Sequence, residues 1–203
     1  MARTCTRCKK DFDRSGVVLY GSHMHCNKCR AQLADLGEKY FDHQAVITSG
    51  IPQSMVLVRD SDISERARDV VLETIHGTLS LFLYGPPQSG KTLCASMFAY
   101  ELIKRRTHIR MVSCATLAQR LRNKQINSVE TMMLHTTPHI ILDDLGVQQD
   151  APWLNEWFFD LVNDRYNHCY HTSATCNDPE SLEPRLARRL MENAKVVEFT
   201  ELK

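Results

Sequence analysis

Eight consecutive residues, Gly85, Pro86, Pro87, Gln88, Ser89, Gly90, Lys91 and Thr92, have the types and spacing needed to grip a polyphosphate. They fit G-x-x-x-x-G-K-[ST], the P-loop. In that motif backbone N–H groups wrap the phosphates, the lysine reaches the β- and γ-phosphates, and the hydroxyl ligates Mg2+. Asp143, 52 residues beyond Lys91, opens an acidic pair with Asp144 at the end of the apolar run Pro138-His-Ile-Ile-Leu. This is a Walker B pattern: a buried parallel strand delivers carboxylates to the edge of the sheet where open α/β sheets bind ligands. Asp143 is expected to hold Mg2+ through water, because a hard cation prefers oxygen ligands. Asp144 is expected to polarise an attacking water. The two motifs predict Mg2+-dependent hydrolysis of ATP to ADP and phosphate.

These residues need elements to place them. Leu79 to Tyr84 is an apolar run of strand length that leads into the loop, and Leu93 to Lys104 has helical spacing after it. A helix starting there aims its N-terminus at the phosphates. Upstream, Asp62 to His76 reads as a helix, capped by Ser61 or Asp62, with Ile63, Ala67, Val70, Val71, Thr74 and Ile75 on one face. Downstream, Ile109–Ser113 reads as a strand, residues 115–135 as helices and 152–168 as a long helix whose Trp153, Trp157, Phe158, Leu161 and Val162 form a core stripe. A small, polar-ended strand, 171–177, a short arginine-bearing helix over 181–190 and a last strand, Val196–Phe199, complete the pattern. Asn177 falls at a strand terminus, where its amide could orient the lytic water.

The chain has 203 residues, 43% of them apolar, which supports a core with room for one further small module. Its net charge of +1 excludes a polycation, so nucleic-acid contact must come from a local patch. The largest such patch is 101–125, with seven basic residues against Glu101. Within it Arg120, Arg122 and Lys124 are the candidates for tracking a single DNA strand by its phosphates. No apolar stretch is long enough to cross a membrane and no signal-like segment leads the chain, so a cytoplasmic location is expected.

Cys5-x2-Cys8 and Cys26-x2-Cys29 are separated by 17 residues, a zinc-site spacing. Four thiolates complete a closed, structural Zn2+ site, which would stabilise a segment too short to fold alone. His23 and His25 are then expected to be exposed loop residues. Residues 1–43 hold eight Lys and Arg against five Asp and Glu, an excess that the thiolates would largely cancel, so this module reads as a protein-docking ribbon. The other cysteines, Cys94, Cys114, Cys169 and Cys176, read as small buried hydrophobes. The expected organisation is a zinc-binding ribbon over 1–35, a linker over 36–50 and an ATPase domain over 51–203.

The order of these features resembles the AAA+ helicase loaders of the DnaC/DnaI type and the related IstB transposition ATPases. The resemblance runs from about Gly50 to the C-terminus. It rests on Gly50-Ile-Pro52, the two motifs above, and the run Asp143 to Asp150, Val162-Asn-Asp-Arg-Tyr166 and Thr175-Cys-Asn177. It implies a P-loop AAA+ fold, a three-layer α/β/α arrangement on a parallel sheet, preceded by the zinc ribbon. It makes Asn177 sensor 1 and offers Arg185, then Arg189, as the arginine finger that completes a neighbouring subunit's site through ATP-bridged self-association. It implies loading of a hexameric replicative helicase onto single-stranded DNA, with the zinc module contacting the helicase. The compact size would suit a phage-encoded loader. Two features depart from the pattern: Tyr170-His-Thr-Ser-Ala is less apolar than usual for its strand, and little chain remains for a helical lid. Other readings of the same motifs are an IstB-like ATPase that delivers a transposase to target DNA, a P-loop small-molecule kinase, and a zinc adaptor with an inactive loop.

Overall fold

In this computed structural model the described residues are 3–4, 11–12, 18–20, 23–25, 45–46, 48–52, 55, 64–77, 80–146 and 151–200. The chain divides into two compact units, 1–45 and 46–203. In the first, β1 (Arg3–Thr4) pairs antiparallel with β2 (Asp11–Phe12), and β3 (Val18–Tyr20) with β4 (His23–His25). His23 and His25, expected in a loop, are therefore strand residues. Tyr20 stands opposite His23 in that register. Cys5, Cys8, Cys26 and Cys29 lie outside the described residues.

The second unit is built on Leu81-Phe82-Leu83, each at most 1% exposed. A strand apolar on both faces belongs at the centre of a parallel sheet. This strand, β5 (Leu81–Tyr84), sits between β8 (His171–Cys176) and β9 (Lys195–Glu198). Outward from β8 come β7 (His139–Leu145) and β6 (Ile109–Ser113), giving the order β6-β7-β8-β5-β9 with all pairs parallel. The helices are α1 (Glu65–His76), α2 (Lys91–Lys104), α3 (Cys114–Arg122), α4 (Ser128–Thr136), α5 (Pro152–Asn167) and α6 (Pro184–Glu192). The alternation of strand and helix is the one read from the sequence. The main difference is at α1, which starts at Glu65 with the Ser64 hydroxyl as cap; Ser61 and Asp62, the expected caps, lie outside the described residues.

Val46, Ser49 and Ile51 are buried, so the end of the expected linker meets the second unit's core. Gly50 fixes that approach. It has φ +82°, and a Cβ on it would stand 2.3 Å from the Met111 carbonyl oxygen of β6. Of the four scattered cysteines, Cys94, Cys114 and Cys176 are buried as expected. Cys169 is exposed, because it occupies a left-handed turn (φ +58°) just past α5.

The polar residues of β8 each have an assigned bond. Arg165 of α5 is completely buried. It donates from Nε to Thr172 (3.0 Å), from Nη1 to the Leu134 and His135 carbonyls (2.7 and 3.2 Å) and from Nη2 to the His171 carbonyl (2.6 Å). It thereby caps the C-terminal end of α4 and ties α4 and α5 to β8. Burial pulls its pKa down to about 10, so it remains charged at neutral pH. Ser173 accepts from the Leu81 amide (2.9 Å), which leaves its proton for His139 Nε2 at 2.9 Å. His139 is buried between Phe98 and His171.

Burial holds His139 well below the ordinary histidine value, with the charges of His171 and Arg165 adding to the effect. In the folded chain it stays neutral while the unfolded chain titrates near its usual ~6.5. Its contribution to stability is complete above that value and is lost as pH falls below it, because the unfolded state then binds the extra proton, with a slope of up to about 1.4 kcal/mol per pH unit. Urea midpoints between pH 7.5 and 5.5 should fall for the native chain and fall less for His139→Phe. Parallel profiles would contradict the assignment.

Candidate active site

The P-loop leaves β5 through a gap that only glycine fits. Gly85 has φ +140°, its amide donates to the Asn177 carbonyl at 3.2 Å, and a Cβ would stand 2.0 Å from the Phe199 carbonyl oxygen. The loop is thus pinned between the ends of β8 and β9. Gln88 (φ 63°) and Gly90 (φ 92°) turn the chain into α2. Side chains cap α1, α3, α4 and α6, whereas none caps α5 or α2, and of these two only α2 follows a glycine loop. An uncapped N-terminus after a glycine loop is suited to an anion.

Lys91 is 5% exposed. Its ammonium donates to the Gly85 and Pro86 carbonyls at 2.8 and 2.7 Å and to Ser89 Oγ at 3.3 Å. Burial lowers its pKa, opposed by the charges of Asp144 and Asp143. The loop carbonyls therefore hold the cation in the place where a phosphate would compete for it.

At the start of α2, Thr92 Oγ1 lies 3.1 and 3.3 Å from the two oxygens of Asp143 on β7. Burial raises the Asp143 pKa, while hydrogen bonds from Thr175 and Thr92 favour the ionised form. The donor set, a hydroxyl beside a carboxylate, fits a hard divalent cation. Asp144 follows in a left-handed conformation (φ 59°), at an irregularity where β7 slips register against β8 between Leu142 and Leu145. This twist turns Asp144 into a cavity of about 560 Å³ that is also lined by Met55, Lys91, Thr92 and Asn177.

Of the residues singled out in the sequence, Pro87 to Thr92, Asp144 and Asn177 meet at this cavity, with Asp143 one bond behind Thr92. Arg185 and Arg189 do not reach it. Arg185 is 59% exposed, paired with Glu183 at 2.8 Å and stacked over Phe159. Arg189 is 25% exposed and held by Asn163, Glu192 and the Tyr166 ring. The basic patch is also thinner than its count suggested. Arg120 pairs with both oxygens of Glu130 at 2.8 Å, and Lys104 pairs with Glu101, leaving Arg122 and Lys124 exposed. Among the described residues no group of three or more His, Cys, Asp or Glu side chains is placed to hold a metal ion. No helix among them is long and apolar enough to cross a membrane.

Thr175 and Met55 were not anticipated. Thr175 could have been found only by knowing that its strand lies beside β7, since its partners are 31 and 32 residues away. Nothing local in the sequence distinguishes Met55.

No curated protein matches the chain. Among solved structures, the fold is similar to that of DnaI, with a TM-score of 0.63 at 21% identity, covering 74% of this chain and 92% of that one. It is similar to the DnaC helicase loader, with a TM-score of 0.58 at 19% identity over 76% and 98% of the two chains. It is also similar to AMPPCP-bound DnaA from Aquifex aeolicus, with a TM-score of 0.55 at 22% identity over 68% and 48%. Residues 62–179, more than half the chain, match the family described as IstB-like ATP binding protein. With its P-loop, paired carboxylates and parallel five-stranded sheet, the chain belongs to the IstB-like ATP-binding proteins and has the AAA+ fold.

Proposed function

We propose that this chain is an ATPase acting in replication initiation, and that it loads a hexameric replicative helicase onto single-stranded DNA. The observation that carries the ATPase reading is the convergence of Lys91, Thr92, Asp144 and Asn177 on one cavity, with Asp143 bonded to Thr92 behind it. Lys91 and the loop amides would hold the triphosphate, and Thr92 with Asp143 would hold Mg2+, which neutralises phosphate charge when bound. Asp144 would take a proton from the attacking water and Asn177 would orient it. The likeness in fold to DnaI and to the DnaC helicase loader supports the choice of partner. The family match keeps a second reading open, delivery of a transposase to target DNA on the same ATPase core.

Arg185 is our choice for the finger. It lies in the first turn of α6, which follows Asn177 at the carboxyl edge of the sheet, and it is far more exposed than Arg189. Lys91→Ala should abolish hydrolysis. Arg185→Ala should leave nucleotide binding intact and slow hydrolysis by about 10³-fold or more. Normal turnover by Arg185→Ala would remove it from the mechanism.

For DNA, Arg122 and Lys124 are the free contacts, whereas the Glu130 pair neutralises Arg120. Single-stranded DNA should stimulate hydrolysis, which a small-molecule kinase would not show. Replacing Arg122 and Lys124 together by Ala should flatten the salt dependence of single-strand affinity by about 1.4 in log–log slope. An unchanged slope would dismiss this surface.

We further propose that Cys5, Cys8, Cys26 and Cys29 bind one Zn2+ and that this module docks on the helicase. Metal analysis of the full chain should give one zinc per protomer, falling to none in Cys5→Ser/Cys26→Ser. Zinc-free native protein would reject the site.

A further inference from the structure

Thr175, 1% exposed on β8, makes two bonds through one hydroxyl. Its Oγ1 accepts from the Asp144 amide at 2.9 Å and donates to Asp143 Oδ1 at 2.7 Å. The polarity is forced. An amide can only donate, so the oxygen must accept there, and its single proton is left for the carboxylate. The hydroxyl also sits where the β7–β8 ladder slips register, and it supplies the Asp144 amide with the acceptor that the neighbouring strand's backbone does not. Asp144 needs such an anchor, because an aspartate at φ 59° is in a sparsely populated conformation that persists only when its surroundings hold it.

We propose that Thr175 is a positioning residue whose hydroxyl fixes the Asp143 carboxylate and the turned backbone of Asp144 together, so that one faces Thr92 and the other faces the cavity. This deepens the ATP-site reading given above and rests on it for the metal's identity. With two donors on Asp143, from Thr92 and from Thr175, the carboxylate is oriented before any ligand arrives. Supporting bonds of this kind typically change metal affinity by about 10–100-fold. Valine has the shape of threonine without the hydroxyl, so Thr175→Val breaks both bonds at little change in packing, and Thr175→Ser restores them.

The test has two readouts on the full chain. The first is amide hydrogen exchange by NMR without metal or nucleotide. In Thr175→Val the Asp144 amide should exchange about ten-fold faster or more, while the Leu161 amide in α5 keeps its protection. The second is the Mg2+ concentration that half-maximally tightens binding of a non-hydrolysable ATP analogue, which should rise about ten-fold or more. Thr175→Ser should return both to native values. Unchanged Asp144 exchange in Thr175→Val, or a serine variant that fails as the valine variant does, would overturn the proposal. If Mg2+ left analogue binding unchanged in the native chain while Asp144 exchange rose as stated, the hold on Asp144 would stand and the metal reading would fall.

Discussion

The contact between Thr92 and Asp143 joins the two halves of the site. Thr92 stands at the start of α2, and its place is set by a loop that must thread between the ends of β8 and β9. Asp143 stands at the end of β7, one strand beyond β8. Each stands on an element packed into the core, α2 and β7. The ligand-binding edge is therefore built before a ligand arrives, which is the condition for electrostatic work at low reorganisation cost. Lys91 is the side chain whose bonds a ligand would exchange. Its ammonium is held by carbonyls of its own loop, and those bonds are the ones that a phosphate would replace.

The polar character of β8 follows from its central position. A strand flanked by β5 and β7 and covered by helices should be apolar, yet it carries His171, Thr172, Ser173 and Thr175. The reason is that four partners need it: the buried Arg165, His139 and Leu81 amide, and the partly buried Asp143–Asp144 turn. Buried polar groups persist where each is bonded. The strand thus exchanges apolar area for bonds that tie α4, α5 and its two neighbours together at one end and position the acidic pair at the other.

Much of this was legible in the chain. The apolar runs before Gly85 and Asp143, the helical spacing after Lys91 and the small, polar-ended strand before Asn177 are local signals, and they bring the loop, the carboxylates and Asn177 to one edge, where the structure also has them. What could not be read depends on register between distant segments. The double bond made by Thr175 requires β8 beside β7. The neutralisation of Arg120 requires α4 to fold back on α3, and Glu130 lies just outside the charge window that flagged the patch. The left-handed turn at Asp144 and the exposure of Cys169 are backbone conformations of non-glycine residues, for which the sequence carries no mark. The caps of α3 and α4, Ser113 and Asn127, are ordinary capping residues whose role becomes definite only when the helix start is known.

In the function proposed above, a metal-bound triphosphate would occupy the carboxyl edge of the sheet and take the Lys91 ammonium from its loop. A crystal structure of the full chain with Mg2+ and a non-hydrolysable ATP analogue tests it most directly. The γ-phosphate should then lie within hydrogen-bonding distance of Lys91 Nζ, with the Gly85 and Pro86 carbonyls released and the metal beside Thr92 and Asp143. A nucleotide bound elsewhere, with Lys91 still on its loop carbonyls, would contradict it.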